Sequence, residues 1–98
     1  MVELAYRQLS QEEIQEGLGT VSGWAIEGDL LCKTFTFKTY KDGVVFAAAV
    51  GYLADQLDHH PDILLSYAKA KISVNTHSVG GISPYDFELA RRIDRLSG

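Results

Sequence analysis

The sequence predicts an α+β domain, in which a four-stranded antiparallel sheet carries helices on one face in the order α-β-β-α-β-β-α. Two observations lead to this fold class: helix-capping residues recur at three places, and two pairs of short segments with two-residue hydrophobic alternation lie between the helices. Hairpins that are interleaved with helices favour an antiparallel sheet covered on one face. Because 98 residues can bury one core but not two, we expect a single domain over residues 1–98.

The first helix and the first hairpin are predicted from local signals. Ser10 and Glu13 have the spacing of a capping box, and Gly17 stops the helix after about two turns. Residues 21–28 are predicted to form a short strand. After a tight turn, apolar and polar residues alternate over residues 31–38, which is typical of a half-buried strand.

A long helix is predicted over residues 40–58, with Thr39 as its N-cap. Its apolar residues recur at four-residue spacing and form one broad stripe. Pro61 cannot continue a helix, so the helix is expected to end near His59.

A second hairpin and a third helix complete the predicted order. Alternating residues predict strands over 62–67 and 70–76, and Gly80 breaks this pattern. Pro84 suits the first position of a helix, and Asp86 stands where it would complete a capping box.

Composition limits the possible functions. Thirteen acidic and nine basic residues give a net charge of −4, which argues against direct nucleic-acid binding through a general basic surface. No apolar run is long enough to span a membrane, and the N-terminal residues 1–7 lack a signal-peptide pattern. With Cys32 as the single cysteine, we expect a cytoplasmic protein without a membrane partner.

The candidate chemistry lies in the three histidines. His59 and His60 follow the long helix, and His77 follows the last strand. Asp55 and Asp58 stand close to the first pair in sequence. Carboxylates and the negative end of a helix favour protonated imidazole, and such histidines suit general acid–base chemistry near neutral pH.

Structural explanations for the same residues remain open. A His-His pair after a helix is often only a polar turn, and helix capping alone explains Asp86. Three histidines are also a known zinc set, although adjacent histidines at a helix end point in different directions. The larger aromatic residues are expected in the core rather than in a stacking surface: Trp24, Phe35, Phe37 and Tyr67.

The pattern resembles the signature of the pterin-4a-carbinolamine dehydratases. The resemblance covers roughly residues 10–96 and includes Gly23-Trp24 and the Phe35-x-Phe37 strand. The residues that carry it most specifically are Asp55-x-x-x-His59-His60-Pro61, Tyr67, Thr76-His77, and Gly81-Ile82-Ser83-x-x-Asp86-x-x-Leu89-Ala90.

The resemblance implies dehydration of 4a-hydroxytetrahydrobiopterin to quinonoid dihydrobiopterin, which supports tetrahydrobiopterin recycling, with no metal or organic cofactor. His59 and His77 would be the acid–base pair, and His60 would bind substrate. The remaining matched positions would orient histidines or contact the pterin: Asp55, Asp58, Asn75, Thr76 and Asp86.

Some features leave alternatives open. Many relatives have glutamate at the position of Asp55, an aromatic residue at that of Ile63 and asparagine at that of Ala68. These differences bear on the shape of the pocket and on substrate preference. An interaction or regulatory member of the family is the alternative function, either as a dimerisation partner of transcription factors or in molybdopterin metabolism. The resemblance, together with the unpaired edges of an open sheet, implies a homodimer or homotetramer.

Overall fold

The computed structural model describes residues 4–97 and confirms the predicted fold class and element order. The first three residues of the N-terminal stretch without a signal-peptide pattern lie outside this range. The elements are α1 (Gln11–Leu18), β1 (Ala25–Glu27), β2 (Leu30–Thr36), α2 (Tyr40–Leu57), β3 (Asp62–Ser66), β4 (Lys69–Val74), a 3-10 turn (His77–Val79) and α3 (Pro84–Ser97). None of the helices within residues 4–97 has the length and apolar character needed to cross a membrane.

The four strands form one antiparallel sheet in the order β1-β2-β4-β3. On the two central strands, Leu31 pairs with Val74 and Phe35 with Ala70, and all four side chains are buried. Because side chains alternate between the faces of a strand, these residues define the face that packs against the helices.

The core lies between this face and helices α2 and α3. The rings of Phe35 and Phe46 are 4.6 Å apart, and Trp24 contacts Phe35 edge-on at 6.1 Å. Leu89 and Ile93 of α3 are completely buried in the same cluster. Trp24 and Phe35 are therefore core residues as predicted, and Phe37 packs against the cluster while partly buried.

The predicted caps of α1 and α2 form. The Ser10 hydroxyl accepts from the Glu13 backbone N–H, and the Glu13 carboxylate accepts from the Ser10 N–H, so the capping box is complete. At the start of α2, the Thr39 hydroxyl accepts from the Asp42 N–H at 3.1 Å. These bonds satisfy backbone donors that have no partner within the helix.

The first strand is shorter than predicted. We expected residues 21–28, whereas β1 covers only Ala25–Glu27. Gly23 has a φ of +80°, and the Ser22 N–H donates to the Asp94 carboxylate of α3 rather than to a neighbouring strand. The Trp24 indole N–H donates to the same carboxylate at 2.9 Å, so this segment is fastened to α3 instead.

The other strand and helix ends also differ slightly from the sequence prediction. Helix α2 ends at Leu57 because Asp58 adopts a left-handed conformation with φ 52°. Strand β4 ends at Val74, and Thr76 instead forms an isolated bridge with Gly81. The expectation that Tyr67 belongs to the core is wrong: it lies in the β3–β4 turn and is 73% exposed.

Helix α1 is held against α3 by a close approach at Gly17. A Cβ atom at this position would lie 2.6–2.9 Å from three atoms of the Phe87 ring, closer than real Cβ atoms come. Phe87 is buried in the core and cannot swing away without leaving it. Glycine at position 17 is therefore required by packing, whereas the helix ends one residue later, at Leu18, with Gly19 as its C-cap.

We predict that Gly17→Ala destabilises the fold by about 1–3 kcal/mol, because the added methyl group overpacks the α1–α3 contact. Gly51→Ala is the matched control, since a Cβ atom there meets nothing within 4 Å and α2 continues through it. Removing a helix-interior glycine should stabilise by about 0.4–1 kcal/mol. Urea unfolding measures both, and equal effects of the two substitutions would contradict this account of Gly17.

The β3–β4 turn contains a residue in an unfavourable conformation. Ala68 has φ 66°, in the left-handed region that residues with a Cβ atom rarely occupy. Its carbonyl accepts from the Phe37 N–H at 2.8 Å, which fixes the turn against the end of β2. The hydrogen bond therefore holds the turn in a backbone conformation that is energetically unfavourable at Ala68.

Ala68→Asn is predicted to raise the free energy of unfolding by about 0.5–1 kcal/mol, because asparagine tolerates the left-handed region better than alanine. Thermal and urea unfolding would measure the change. Ser66→Asn in the adjoining strand is the control and should bring no gain. Unchanged or lower stability of Ala68→Asn would refute the strain argument.

Candidate functional site

The centre of the candidate site is the buried carboxylate of Asp86. It is fully buried and receives hydrogen bonds from three segments of the chain. The His59 Nε2 lies 2.6 Å from Oδ1, while the Thr76 hydroxyl and the Ser83 backbone N–H lie 2.9 and 2.8 Å from Oδ2. The network joins the end of α2, the segment after β4 and the start of α3.

The end of α2 determines where the two adjacent histidines point. The left-handed turn at Asp58 lets the His59 N–H return to the Ala54 carbonyl at 3.0 Å. His59 is consequently directed inward and is 8% exposed, whereas His60 is exposed to solvent. The prediction that the two imidazoles point in different directions is confirmed.

The hydrogen bonds around Asp86 have one consistent direction. An ionised carboxylate only accepts, so the Thr76 hydroxyl donates to it, and the Ser83 hydroxyl at 2.6 Å donates to Thr76. The Tyr85 N–H donates to Ser83 in turn. In residues 4–97, every buried side-chain nitrogen and oxygen has a hydrogen-bond partner.

Because these hydrogen bonds point towards Asp86, one ring nitrogen of His59 remains available for proton transfer. Nε2 carries the hydrogen that bonds Asp86 Oδ1, so Nδ1 is the ring nitrogen that can exchange a proton with a ligand. A buried carboxylate that holds the opposite ring nitrogen also fixes the orientation of the imidazole. The arrangement is suited to a histidine that acts as a general acid or base.

A second aspartate–histidine pair lies at the surface. His60 Nε2 is 2.8 Å from Asp55 Oδ1, with 57% and 79% of the two side chains exposed. Asp86 and Asp55 thus each contact one of the adjacent histidines, one pair buried and one in solvent. The aspartate at position 55 reaches its histidine despite being shorter than glutamate.

The remaining predicted site residues lie around this network without direct bonds to it. His77 directly follows Thr76 and begins the 3-10 turn, and its side chain is exposed. Asn75 is half-buried just after β4, and Asp58 is exposed at the end of α2. Their roles towards a ligand stay predictions.

The three histidines do not form a metal-ligand set in the part of the chain that the structure describes. Within residues 4–97, no group of three or more histidine, cysteine, aspartate or glutamate residues is arranged to hold a metal ion. His59 and His60 each face a different carboxylate. The hypothesis of a three-histidine zinc site therefore has no geometric support.

Two members of the network were not singled out as site residues from the sequence. Ser83 was named only for the helix start and within the family signature, but its hydroxyl and its N–H both belong to the Asp86 network. Tyr85 lies with its ring 5.6 Å from the His59 ring. The Ser-Pro helix start was a signal for Ser83, whereas nothing in the sequence indicated Tyr85.

The fold and this histidine–carboxylate site define a small α+β protein suited to proton transfer, and sequence comparison gives its family. The profile of the family described as pterin 4 alpha carbinolamine dehydratase matches residues 7–96. This chain belongs to that family. The resemblance that the histidine signature carries is therefore confirmed.

Two curated relatives align with this chain over almost their whole length. A protein of Sulfolobus acidocaldarius is 39% identical over 89 residues, which are 91% of this chain and 98% of the relative. One of Sulfurisphaera tokodaii is 40% identical over 90 residues, 92% and 97% of the two chains. The names of both assign them provisionally to pterin-4-alpha-carbinolamine dehydratase.

Two solved structures share the fold. A Brucella melitensis protein, titled a transcriptional coactivator/pterin dehydratase, has a TM-score of 0.88 and 29% identity, covering 94% of this chain and all of that one. A pterin dehydratase-like RuBisCO assembly factor of the alpha-carboxysome has a TM-score of 0.67 at 24% identity, covering 81% and 94%. The second likeness bears on the fold alone.

Removing the buried carboxylate should destabilise the protein strongly. Asp86→Ala leaves His59 Nε2, the Thr76 hydroxyl and the Ser83 N–H without their acceptor, so we predict a loss of about 3–5 kcal/mol. Asp55→Ala is the control because it breaks a solvent-exposed pair, and its expected cost is below about 1 kcal/mol.

Urea unfolding of the two variants provides the measurement. A cost of Asp86→Ala no larger than that of Asp55→Ala would show that the buried network does not hold the three segments together. A circular dichroism spectrum of each variant establishes that the unfolding transition starts from a folded state.

Proposed function

We propose that this protein is an active dehydratase that converts 4a-hydroxytetrahydrobiopterin to quinonoid dihydrobiopterin and water, and thereby supports tetrahydrobiopterin recycling. The observation that carries the proposal is the buried His59–Asp86 bond, which leaves one imidazole nitrogen available for proton transfer. Membership of the family and the curated relatives support the pterin as substrate class.

The reaction needs two proton transfers and no redox partner. The C4a–O bond breaks, and the hydroxyl leaves as water after receiving a proton from a general acid. The pterin N5 loses its proton to a general base, and a C4a=N5 double bond forms. The atoms balance as substrate to quinonoid dihydropterin plus water.

The histidines can be assigned to these transfers. We assign His59, through Nδ1, and His77 to the acid–base pair, and His60 with Asp55 to substrate binding. Asp86 orients His59 through Nε2 and does not need to change its own protonation state. The half-buried Asn75 and the exposed Asp58 are assigned to contacts with the pterin ring.

We further propose self-association into a homodimer or homotetramer. Helix α2 supports this, because it exposes apolar or aromatic side chains at four positions: Tyr40, Val44, Val45 and Tyr52. Exposed apolar residues on one helix are typical of a surface that another protein covers.

The second candidate function is an interaction module without turnover. The same exposed side chains of α2 favour it, and the Brucella melitensis structure is titled a coactivator as well as a dehydratase. Negligible turnover by folded protein, together with a stable protein partner in a pull-down, would decide for this alternative.

We predict that His59→Ala and His77→Ala each lower kcat by about 10²–10⁴-fold, the usual contribution of general acid–base catalysis. His60→Ala should mainly raise KM. The assay generates 4a-hydroxytetrahydropterin with a phenylalanine hydroxylase and follows quinonoid dihydropterin by absorbance. Gly51→Ala is the control, because position 51 lies about two turns of α2 before the histidines and a Cβ atom there meets nothing within 4 Å. Full activity of both His59→Ala and His77→Ala would overturn the assignment.

A further inference from the structure

An aromatic stack that the sequence did not indicate adjoins the candidate site. The ring of Tyr6, in the segment before α1, lies 4.3 Å from the ring of Tyr85 and within 15° of parallel. Tyr85 in turn contacts the His59 ring at 5.6 Å. Tyr6 is 55% exposed, so one side of the stack remains open to solvent.

The residues that directly follow Tyr6 are held to the rest of the protein by hydrogen bonds. The Leu9 N–H donates to the Ile82 carbonyl at 2.7 Å. Arg7 donates to both carboxylate oxygens of Glu13, at 3.1 and 2.8 Å. These bonds, together with the hydrogen bond from the Ser10 N–H, lower the pKa of Glu13 to about 2. These bonds hold the chain after Tyr6 in place, and the stack with Tyr85 holds the Tyr6 ring.

Alternate residues of this segment face different surroundings. Ala5, Arg7 and Leu9 line a cleft of about 540 Å³ against α1 and the start of α3. Tyr6 is not part of that cleft and stacks on Tyr85, next to His59. Tyr6 lies at a bend in the chain, and its ring stacks on the histidine side while its neighbours Ala5 and Arg7 line the cleft.

The surroundings of Tyr6 keep its phenol uncharged. Partial desolvation, the charge and hydrogen bond of the Tyr85 side chain, and the Asp58 carboxylate raise the pKa of Tyr6 above its ordinary value. The stack therefore offers an uncharged aromatic surface beside the His59 imidazole, which is assigned to proton transfer.

We propose that Tyr6 is a specificity-determining residue of this site: with Tyr85 it forms an aromatic wall beside His59, against which a planar pterin ring lies. This inference rests on the proposed function, because the wall is assigned to the same ligand. Planar heteroaromatic rings bind favourably to aromatic side chains, in contacts that depend little on charge. Tyr6 acts on binding and transfers no proton.

The test compares ligand binding with turnover in three variants. Tyr6→Ala should weaken binding of 7,8-dihydropterin, measured by titration calorimetry, by about 2–10-fold, the range for loss of one aromatic contact. KM should rise by a similar factor while kcat changes by less than about twofold. Tyr6→Phe should restore both constants, because it keeps the ring and loses only the hydroxyl.

Tyr67→Ala is the matched control. Tyr67 is also exposed, at 73%, but it follows β3 at the end of the strand opposite to the histidines. We expect wild-type binding and turnover from it. Unfolding transitions of all three variants establish that each is folded under the assay conditions.

The possible outcomes separate the two proposals. Weaker dihydropterin binding by Tyr6→Ala, with wild-type binding by Tyr6→Phe and by Tyr67→Ala, supports the wall. Wild-type binding and KM in folded Tyr6→Ala overturn the wall and leave the proposed dehydratase intact. A wild-type protein that neither binds dihydropterin nor turns over substrate overturns the proposed function and this inference together.

Discussion

The buried carboxylate of Asp86 is the constraint on which the rest of the structure depends. A carboxylate that is buried away from water needs hydrogen-bond donors from the protein. Three separate segments supply these donors, through His59, Thr76 and Ser83. These donors belong to the end of α2, the exit from β4 and the start of α3. The same bonds that satisfy the charge therefore bring the candidate catalytic histidine to the sheet.

The two carboxylate oxygens of Asp86 have different partners, so a bond at the helix start and a contact with His59 coexist. Oδ2 accepts from the Ser83 N–H at the start of α3, which is one of the two reciprocal bonds of a capping box; the Ser83 hydroxyl accepts from the Tyr85 N–H instead of completing it. Oδ1 is left for His59. A residue that stabilises a helix start can thus orient an imidazole without any conflict between the two roles.

Local pattern was sufficient for the fold class, while particular boundaries depended on contacts that are distant in sequence. The caps at Ser10 and Thr39 and the alternation in β2 act over a few residues, so they could be predicted. Strand β1 is short because Ser22 and Trp24 bond Asp94, 72 and 70 positions away in the chain. Tyr67 lies in a turn with its side chain in solvent, although its type suggested the core.

The sequence by itself determined the order of the elements, the three histidines and the family, because spacing and residue type carry that information. Only the tertiary structure decided how the candidate site is assembled. His59 and His60 are neighbours in sequence, yet a left-handed turn at Asp58 buries one and exposes the other. Tyr6 approaches Tyr85 across a gap of almost eighty positions, and no local pattern encodes a contact between segments that meet only when the chain is folded.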